Sequence, residues 1–132
     1  MSGFYVSFRA RHSALDLIDL LAPLGIVPTH CWAAGEQRRT PKGVLLEGIY
    51  EGSYYCCDLP LPEVRDLAEW LERAIVFLRP ISKQLIAFAH AGGSLSFYIG
   101  LEKGVFEGTT LDLKLLAKLV ELRVSLEIDR DI

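Results

Sequence analysis

The sequence has few cysteines and no long apolar run. Its three cysteines, Cys31, Cys56 and Cys57, show no CxxC spacing. An odd number without the pattern of disulfide-rich secreted domains favours a reducing compartment, so we expect a cytoplasmic protein. The longest apolar run, residues 20–27, is interrupted by a proline and a glycine and is much shorter than the roughly 20 residues that cross a bilayer. We therefore expect no membrane span and no membrane partner.

The sequence also lacks a charge excess and the motifs of common cofactor sites. A net charge of -3 provides no general attraction for a polyanion, so we do not expect nucleic acid as a partner. The three histidines, His12, His30 and His90, do not fall at metal-ligand spacing, and we expect no metal site. Gly92-Gly93 has neither the lysine nor the helix of a phosphate-binding loop. We expect no cofactor and no catalytic residues.

What the chain does have is a composition typical of one globular domain. It contains 132 residues, of which 51% are hydrophobic and 23% charged. A chain of this size buries enough surface to fold without a metal or a disulfide, so we expect a single domain over residues 1–132. The segment Phe4 to Arg9 alternates apolar and polar residues, which indicates a half-buried strand and argues against a signal peptide.

The remaining patterns predict strands and helices in the order β-α-β-β-β-α-β-β-α-β. Helices are expected from Ser13 to Gly25, from Pro62 to Pro80, and after Thr109, where Asp112 completes a capping pattern. The run Gly35 to Gly43 has loop composition. The other predicted strands are 29–33, 44–50 with 53–58 as a hairpin, 84–90 with 95–101 as a second hairpin across two glycines, and 122–128.

These elements predict an α+β fold. We expect a largely antiparallel sheet with three helices packed on one face, as in ferredoxin-like domains. The inward face of the sheet should carry Phe4, Val6, Phe8, Val124 and Leu126. The other face would then be open to a partner.

One segment of the chain is similar to a known family. The run Leu24-Gly25-Ile26, followed by Pro28-Thr29, Trp32 and Gly35, resembles the bacterial family catalogued as domain of unknown function 4279. With YVSFR near the start and LLAKLVELRVSLEID at the end, the resemblance covers nearly the whole chain. It implies a small bacterial protein whose family has no assigned activity. By analogy with other small standalone domains, an immunity role in a toxin system is one reading.

The first functional hypothesis is a non-catalytic protein-interaction domain, immunity or regulatory. Its surface would consist of the open sheet face and the loop from Gly35 to Gly43. The aromatic side chains expected on that sheet face are Tyr5, Tyr54, Tyr55, Phe97 and Tyr98. Homodimerisation through that face or through an edge strand is the preferred structural prediction. Such a protein should have a broad aromatic patch and no deep polar pocket.

The second hypothesis is a small-ligand or nucleotide-binding module. Its candidate binding residues are Thr29, Trp32, Gly35, Arg38 and Arg39, because cations beside an aromatic ring can meet an anionic ligand. A solvated basic loop is the plain alternative. A third hypothesis is a hydrolase that uses His30 and Cys31. The last two require a cleft where Trp32, Arg38 and His30 converge.

Overall fold

The structure, a computed structural model, describes residues 3–130, which form strands, α-helices and two short 3-10 helices. The strands are β1 (Phe4–His12), β2 (His30–Trp32), β3 (Gln37–Arg39), β4 (Leu45–Ile49), β5 (Ser53–Cys57), β6 (Ser94–Leu101) and β7 (Val124–Arg130). The α-helices are α1 (Leu67–Leu78), α2 (Ser82–His90) and α3 (Leu113–Leu122). The 3-10 helices are Ala22–Leu24 and Arg79–Ile81. No helix within residues 3–130 combines the length and the apolar character needed to cross a membrane.

Five strands form the main sheet in the order β2-β5-β1-β6-β7. The first four are antiparallel to their neighbours, and β7 runs parallel to β6. The parallel pair follows from the crossover through α3, which returns the chain to the same end of the sheet. The predicted α+β class and the largely antiparallel sheet are confirmed, whereas the ferredoxin-like arrangement stays a prediction.

One face of the sheet forms the core with the helices. Phe8 of β1 and Phe97 of β6 are fully buried, and their rings meet edge to face at 5.9 Å. The buried side chains of all three helices belong to the same cluster, so the helices cover a single face. Phe4 and Val124 are buried, and Val6 and Leu126 pack against this core, as the alternation predicted.

Two of the three predicted helices form, although α1 begins at Leu67 and not at Pro62. The Asp66 carboxylate caps α1 by accepting from the amide of Glu69, and Asp112 caps α3 by accepting from the amide of Leu115. Thr109 does not cap α3, although its hydroxyl accepts from the amide of Ala68 in the first turn of α1 at 3.3 Å. Its hydroxyl donates to Asp66 at 2.7 Å and thereby ties the segment before α3 to the start of α1.

The predicted helix from Ser13 to Gly25 is wrong. This segment forms turns and ends in the 3-10 helix Ala22–Leu24. The His12 ring, not Ser13, accepts from the amides of Ala14 and Leu15 at 2.9 Å. Pro23 has no amide hydrogen and restricts the residue before it, so an α-helix cannot run through this point. Leu17 and Leu21 still reach the core from the turns.

The predicted strand over residues 84–90 is also wrong, because this segment is helix α2. Leu85 and Phe88, three residues apart, are its buried side chains, which is helical spacing. The glycines that suggested a hairpin instead end the helix: Gly92 has a φ of 96° and the amide of Gly93 donates to the Phe88 carbonyl. The chain therefore enters β6 from a helix.

The predicted hairpin of residues 44–50 with 53–58 does not form. Strand β4 pairs instead with β3, which lies inside the run predicted as a loop. Strand β5 pairs with β1 and β2. The difference follows from burial, because β5 places Tyr55 and Cys57 in the core whereas β4 buries no side chain. The two-stranded sheet of β3 and β4, residues 37–49, is called the ribbon below. The last strand begins at Val124 rather than at Leu122, which ends α3.

Candidate functional site

A cleft lies between the edge strand β2 and the ribbon. Its volume is about 440 Å³, within the range of small-molecule sites. Strand β2 belongs to the main sheet and is fixed there by pairing with β5. The ribbon forms the opposite wall and touches water on both of its faces. The lining residues are Thr29, His30, Cys31, Trp32, Glu36, Arg38, Arg39, Thr40, Pro41 and Tyr50.

Three aromatic rings form a stack beside this cleft. The Trp32 ring lies 4.5 Å from the Tyr50 ring at 12° and 4.6 Å from the Tyr54 ring at 29°. Trp32 also lines a second cavity beside Tyr54 and Arg11. The stack thus joins the ribbon side of the cleft to the open face of the main sheet.

Tyr50 holds the ribbon in place. Its hydroxyl donates to the Arg39 carbonyl at 3.2 Å and accepts from the Arg39 amide at 3.3 Å. At the start of the ribbon, the Tyr50 amide donates to the Glu36 carbonyl and the Gly35 amide donates to the Tyr50 carbonyl, both at 2.9 Å. One side chain therefore connects β3 to the ring stack on β2.

The cleft carries unneutralised positive charge. The Arg38 guanidinium reaches the Glu47 backbone carbonyl at 3.5 Å, and the Arg39 guanidinium has no hydrogen bond or ion pair to any residue in 3–130. Glu36 is the acidic side chain of the lining and is not ion-paired with either arginine. Two cations and one carboxylate give the lining a net positive charge, although the whole chain is acidic.

The cysteine in the cleft is not activated. Burial raises the pKa of the Cys31 thiol, and the Asp16 and Glu36 carboxylates raise that pKa further. A raised pKa keeps the thiol protonated at neutral pH, whereas a nucleophile needs the thiolate. Alternation along β2 also places His30 and Cys31 on opposite faces of the strand, since their cross-strand neighbours are Cys56 and Tyr55. The geometry gives the His30–Cys31 hydrolase hypothesis no support.

Four of the five candidate binding residues line the cleft: Thr29, Trp32, Arg38 and Arg39. Gly35 does not line it. Its φ of 86° provides the turn by which the chain leaves β2 and enters the ribbon. The sequence analysis did not identify Tyr50, which it assigned to a hairpin with residues 53–58, or Thr40, which it assigned to the loop from Gly35 to Gly43. No local pattern in the sequence signals the pairing of residues 45–49 with residues 37–39 that brings Tyr50 to the cleft.

The open face of the main sheet is less apolar than expected. Tyr55 and Phe97 are fully buried in the core, so the prediction that they lie on this face is wrong. Tyr5, Tyr54 and Tyr98 do lie there, and polar groups are interleaved with them.

Hydrogen bonds connect these polar groups across the strands. The Arg9 guanidinium sits 3.9 Å over the Tyr98 ring, and the Tyr98 hydroxyl donates to Asp129 at 2.9 Å. Glu127 accepts from the Ser96 hydroxyl at 2.6 Å and pairs with Arg11 at 3.3 Å. Much of the polar surface on this face is therefore already satisfied within the chain.

Two further observations complete the description of the site. Within residues 3–130, no three His, Cys, Asp or Glu side chains are grouped so as to hold a metal ion. Comparison with models of protein families, with curated proteins and with solved structures found no match for this chain. The resemblance carried by residues 24–35 therefore stays an expectation, and the cleft has to be interpreted from its own chemistry.

Proposed function

We propose that this protein is a non-catalytic binding module for a small anionic ligand with a planar ring, such as a nucleotide. The ligand occupies the cleft between β2 and the ribbon. One observation supports this proposal most directly: Arg38 and Arg39 line the same cavity as the stacked rings of Trp32 and Tyr50. Neither arginine forms an ion pair with a residue in 3–130.

Each part of the cleft has a role in this proposal. Guanidinium groups bind phosphate or carboxylate through charge-assisted, often paired hydrogen bonds. The stacked rings of Trp32 and Tyr50 provide an aromatic surface for a planar ring, and every nucleobase has a π-face for such contact. The hydroxyls of Thr29 and Thr40 provide neutral hydrogen-bonding groups at the same cavity. A ligand with both a negative charge and a ring uses all three parts.

Calorimetric titration with AMP, adenosine and inorganic phosphate tests the proposal. AMP should bind more tightly than adenosine, which lacks the charge, and than phosphate, which lacks the ring. Replacing Arg38→Gln or Arg39→Gln should weaken AMP binding about tenfold to hundredfold, the effect of one charge-assisted hydrogen bond. Lys42→Gln is the matched control, because it removes one positive charge from the ribbon at a residue that does not line the cleft.

The control defines the outcomes that contradict the proposal. If Lys42→Gln weakens binding as much as Arg38→Gln, the attraction is a general charge effect and the cleft is not the site. If AMP and phosphate both fail to bind at millimolar concentration, the cleft does not take anions of this class.

Protein interaction is the second candidate, and the exposed apolar surface of the ribbon favours it. Leu45 and Ile49 of β4 are 60% and 61% exposed and lie opposite Arg39 and Gln37 of β3. The ribbon also has free edges, to which an extended segment of a partner protein can add as a strand. Leu45→Lys should abolish capture of such a partner from lysate, while Ile128→Lys on β7 should not. Equal capture by both variants would remove this candidate.

A further inference from the structure

Helix α3 has an apolar stripe on its outer side. Leu113, Leu116 and Val120 are 83%, 38% and 66% exposed, and Ala117 between them is exposed as well. Positions i, i+3, i+4 and i+7 of a helix lie along one face, so these four side chains form a continuous strip. The strip is called the outer stripe below. It faces away from the sheet and is separate from the cleft.

The outer stripe is not needed to dock α3 on the sheet. The helix already buries Leu115, Leu119 and Leu122 in the core. Its position is also fixed by the Asp112 cap and by the ion pair of Lys118 with Glu72 at 2.9 Å. A helix that packs in a monomer needs one apolar face, and this helix has two. The outer stripe is therefore a rigid, preformed surface available for docking.

The charges beside the outer stripe indicate what covers it. Lys114 and Glu121 are seven residues apart, which places them on the same flank of the helix. Neither side chain forms an ion pair with any residue in 3–130. When two copies of α3 lie antiparallel about a two-fold axis, Lys114 of each copy comes opposite Glu121 of the other. Leu113 then lies near Val120 of the other copy, and Leu116 and Ala117 lie at the centre.

We propose that the outer stripe is a homodimer interface in which α3 packs antiparallel against α3 of a second copy. The surface is self-complementary, as an interface across a two-fold axis requires. A membrane surface is a poorer match, because amphipathic membrane helices are rich in Lys and Arg on their polar face, whereas the flank here has one lysine and one glutamate free. The helix has 10 residues, or about 15 Å of length. A contact this small belongs to the weakly associating class of interfaces.

Sedimentation equilibrium over a range of concentrations up to about 1 mM, the weak end of the affinity scale, measures the association. The wild-type chain should show a reversible monomer–dimer equilibrium. Leu113→Glu and Val120→Glu should abolish it. Val76→Glu is the matched control, since Val76 is 56% exposed on α1 outside the stripe. Circular dichroism should confirm that all variants fold, because none of the substituted side chains is buried.

A charge exchange tests the antiparallel arrangement. Lys114→Glu places two pairs of carboxylates face to face, and Glu121→Lys places two pairs of ammonium groups face to face. Each variant alone should associate on the order of tenfold more weakly than wild type, from the loss and reversal of two exposed charge pairs. An equimolar mixture of the two should recover the wild-type affinity, because each contact again joins opposite charges.

Several results would overturn the proposal. A wild-type chain that stays monomeric at 1 mM has no such interface. Dimerisation that Val120→Glu leaves unchanged, or that Val76→Glu abolishes equally, belongs to another surface, such as the sheet edge. If the mixture of charge variants stays as weak as its components, the helices do not pair antiparallel. Cosedimentation of the wild type, but not of Val120→Glu, with phosphatidylserine vesicles would assign the stripe to a membrane instead.

Discussion

Removing the Tyr50 side chain should loosen the ribbon without destabilising the rest of the protein. No side chain of β3 or β4 is buried, so the ribbon contributes nothing to the core. Two-stranded ribbons are marginally stable on their own. Tyr50 provides the two hydrogen bonds to Arg39 and the ring contact with Trp32 that hold the ribbon against β2. Its loss should therefore act locally.

The magnitude follows from these contacts. The two hydrogen bonds are long and exposed, so together they contribute about 1 kcal/mol, at the low end for such bonds. The stacked ring adds about 0.5–1.5 kcal/mol beyond its buried area. Tyr50→Phe should then lower the free energy of ribbon opening by about 1 kcal/mol, and Tyr50→Ala should lower it by about 2–3 kcal/mol once the buried ring area is included. The second value corresponds to roughly 30- to 150-fold more frequent opening.

Native-state hydrogen exchange measures this opening residue by residue. The amide of Thr40, which donates to the Val44 carbonyl, reports the ribbon. Amides of β6, at the centre of the main sheet, report global unfolding. Exchange at Thr40 should accelerate about fivefold in Tyr50→Phe and roughly 30- to 150-fold in Tyr50→Ala, while the slowest β6 amides should change little. Equal acceleration at both probes would refute the reasoning, because it would mean that the ribbon unfolds together with the core.

Three further predictions concern the core and the titrating groups. Phe97→Ala should lower the free energy of unfolding in urea by about 3–5 kcal/mol, whereas Val76→Ala on the exposed side of α1 should change it by less than about 0.5 kcal/mol; similar values would contradict the assigned core. The Ser96 hydroxyl and then Arg11 hold the pKa of Glu127 below its usual value. The stabilisation that Glu127 provides is therefore present above the pKa of the unfolded state and is lost as the pH falls through the pKa of the folded state. Glu127→Gln should thus be less stable than wild type at neutral pH and should approach it in acid, and a pH-independent difference would contradict the pairing. Asp129 raises the pKa of Tyr98 to about 12, and burial raises the pKa of Cys57 to about 12. The stabilisation from each group is complete below the pKa of the unfolded state and is lost as the pH rises towards 12. Urea denaturation at pH 8 and pH 11 should show a smaller alkaline loss for Tyr98→Phe than for wild type, and an unchanged loss would remove Tyr98 from this account.

Sequence periodicity predicted the elements that bury one face and expose the other. In β1 the alternation of Phe4, Val6 and Phe8 corresponds directly to the inward face of the sheet. The apolar stripes of α1 and α3 and the capping residue Asp112 of α3 were local signals, whereas the cap of α1 by Asp66 was not predicted. For these elements the burial of one face decides the structure, so the pattern of residues is sufficient.

The prediction failed where local contacts override the pattern. Leu15, Ile18 and Leu21 have helical spacing, yet the His12 ring organises the segment as turns and Pro23 blocks its continuation. The run of residues 84–90 fits both a strand and a helix when only its apolar composition is considered, because short apolar runs do not distinguish the two. In the first case a local side-chain contact decides the structure, and in the second the burial of Leu85 and Phe88 in the core decides it.

The candidate site was predicted in part because its residues are close in sequence. Thr29, Trp32, Arg38 and Arg39 fall within eleven positions, so any turn after β2 brings them near one another. Tyr50 comes from the far end of the ribbon, and its place in the cleft depends on the pairing of β4 with β3. That pairing follows from burial. Strand β5 joins the main sheet because its alternate side chains are buried in the core, and β4 pairs with β3 instead.

The same distribution of burial explains how the ribbon can serve a binding site. Since the ribbon has no buried side chain, its distance from β2 can change without opening the core, at the cost of the Tyr50 contacts. A ligand held by Arg38 and Arg39 on the ribbon and by Trp32 on β2 would bridge the two walls and replace part of what Tyr50 provides. Ligand-binding segments are commonly drawn from the least stable part of a fold for this reason. The weak attachment of the ribbon is thus consistent with the proposed function, because a rigid ribbon would admit only ligands that match one fixed width.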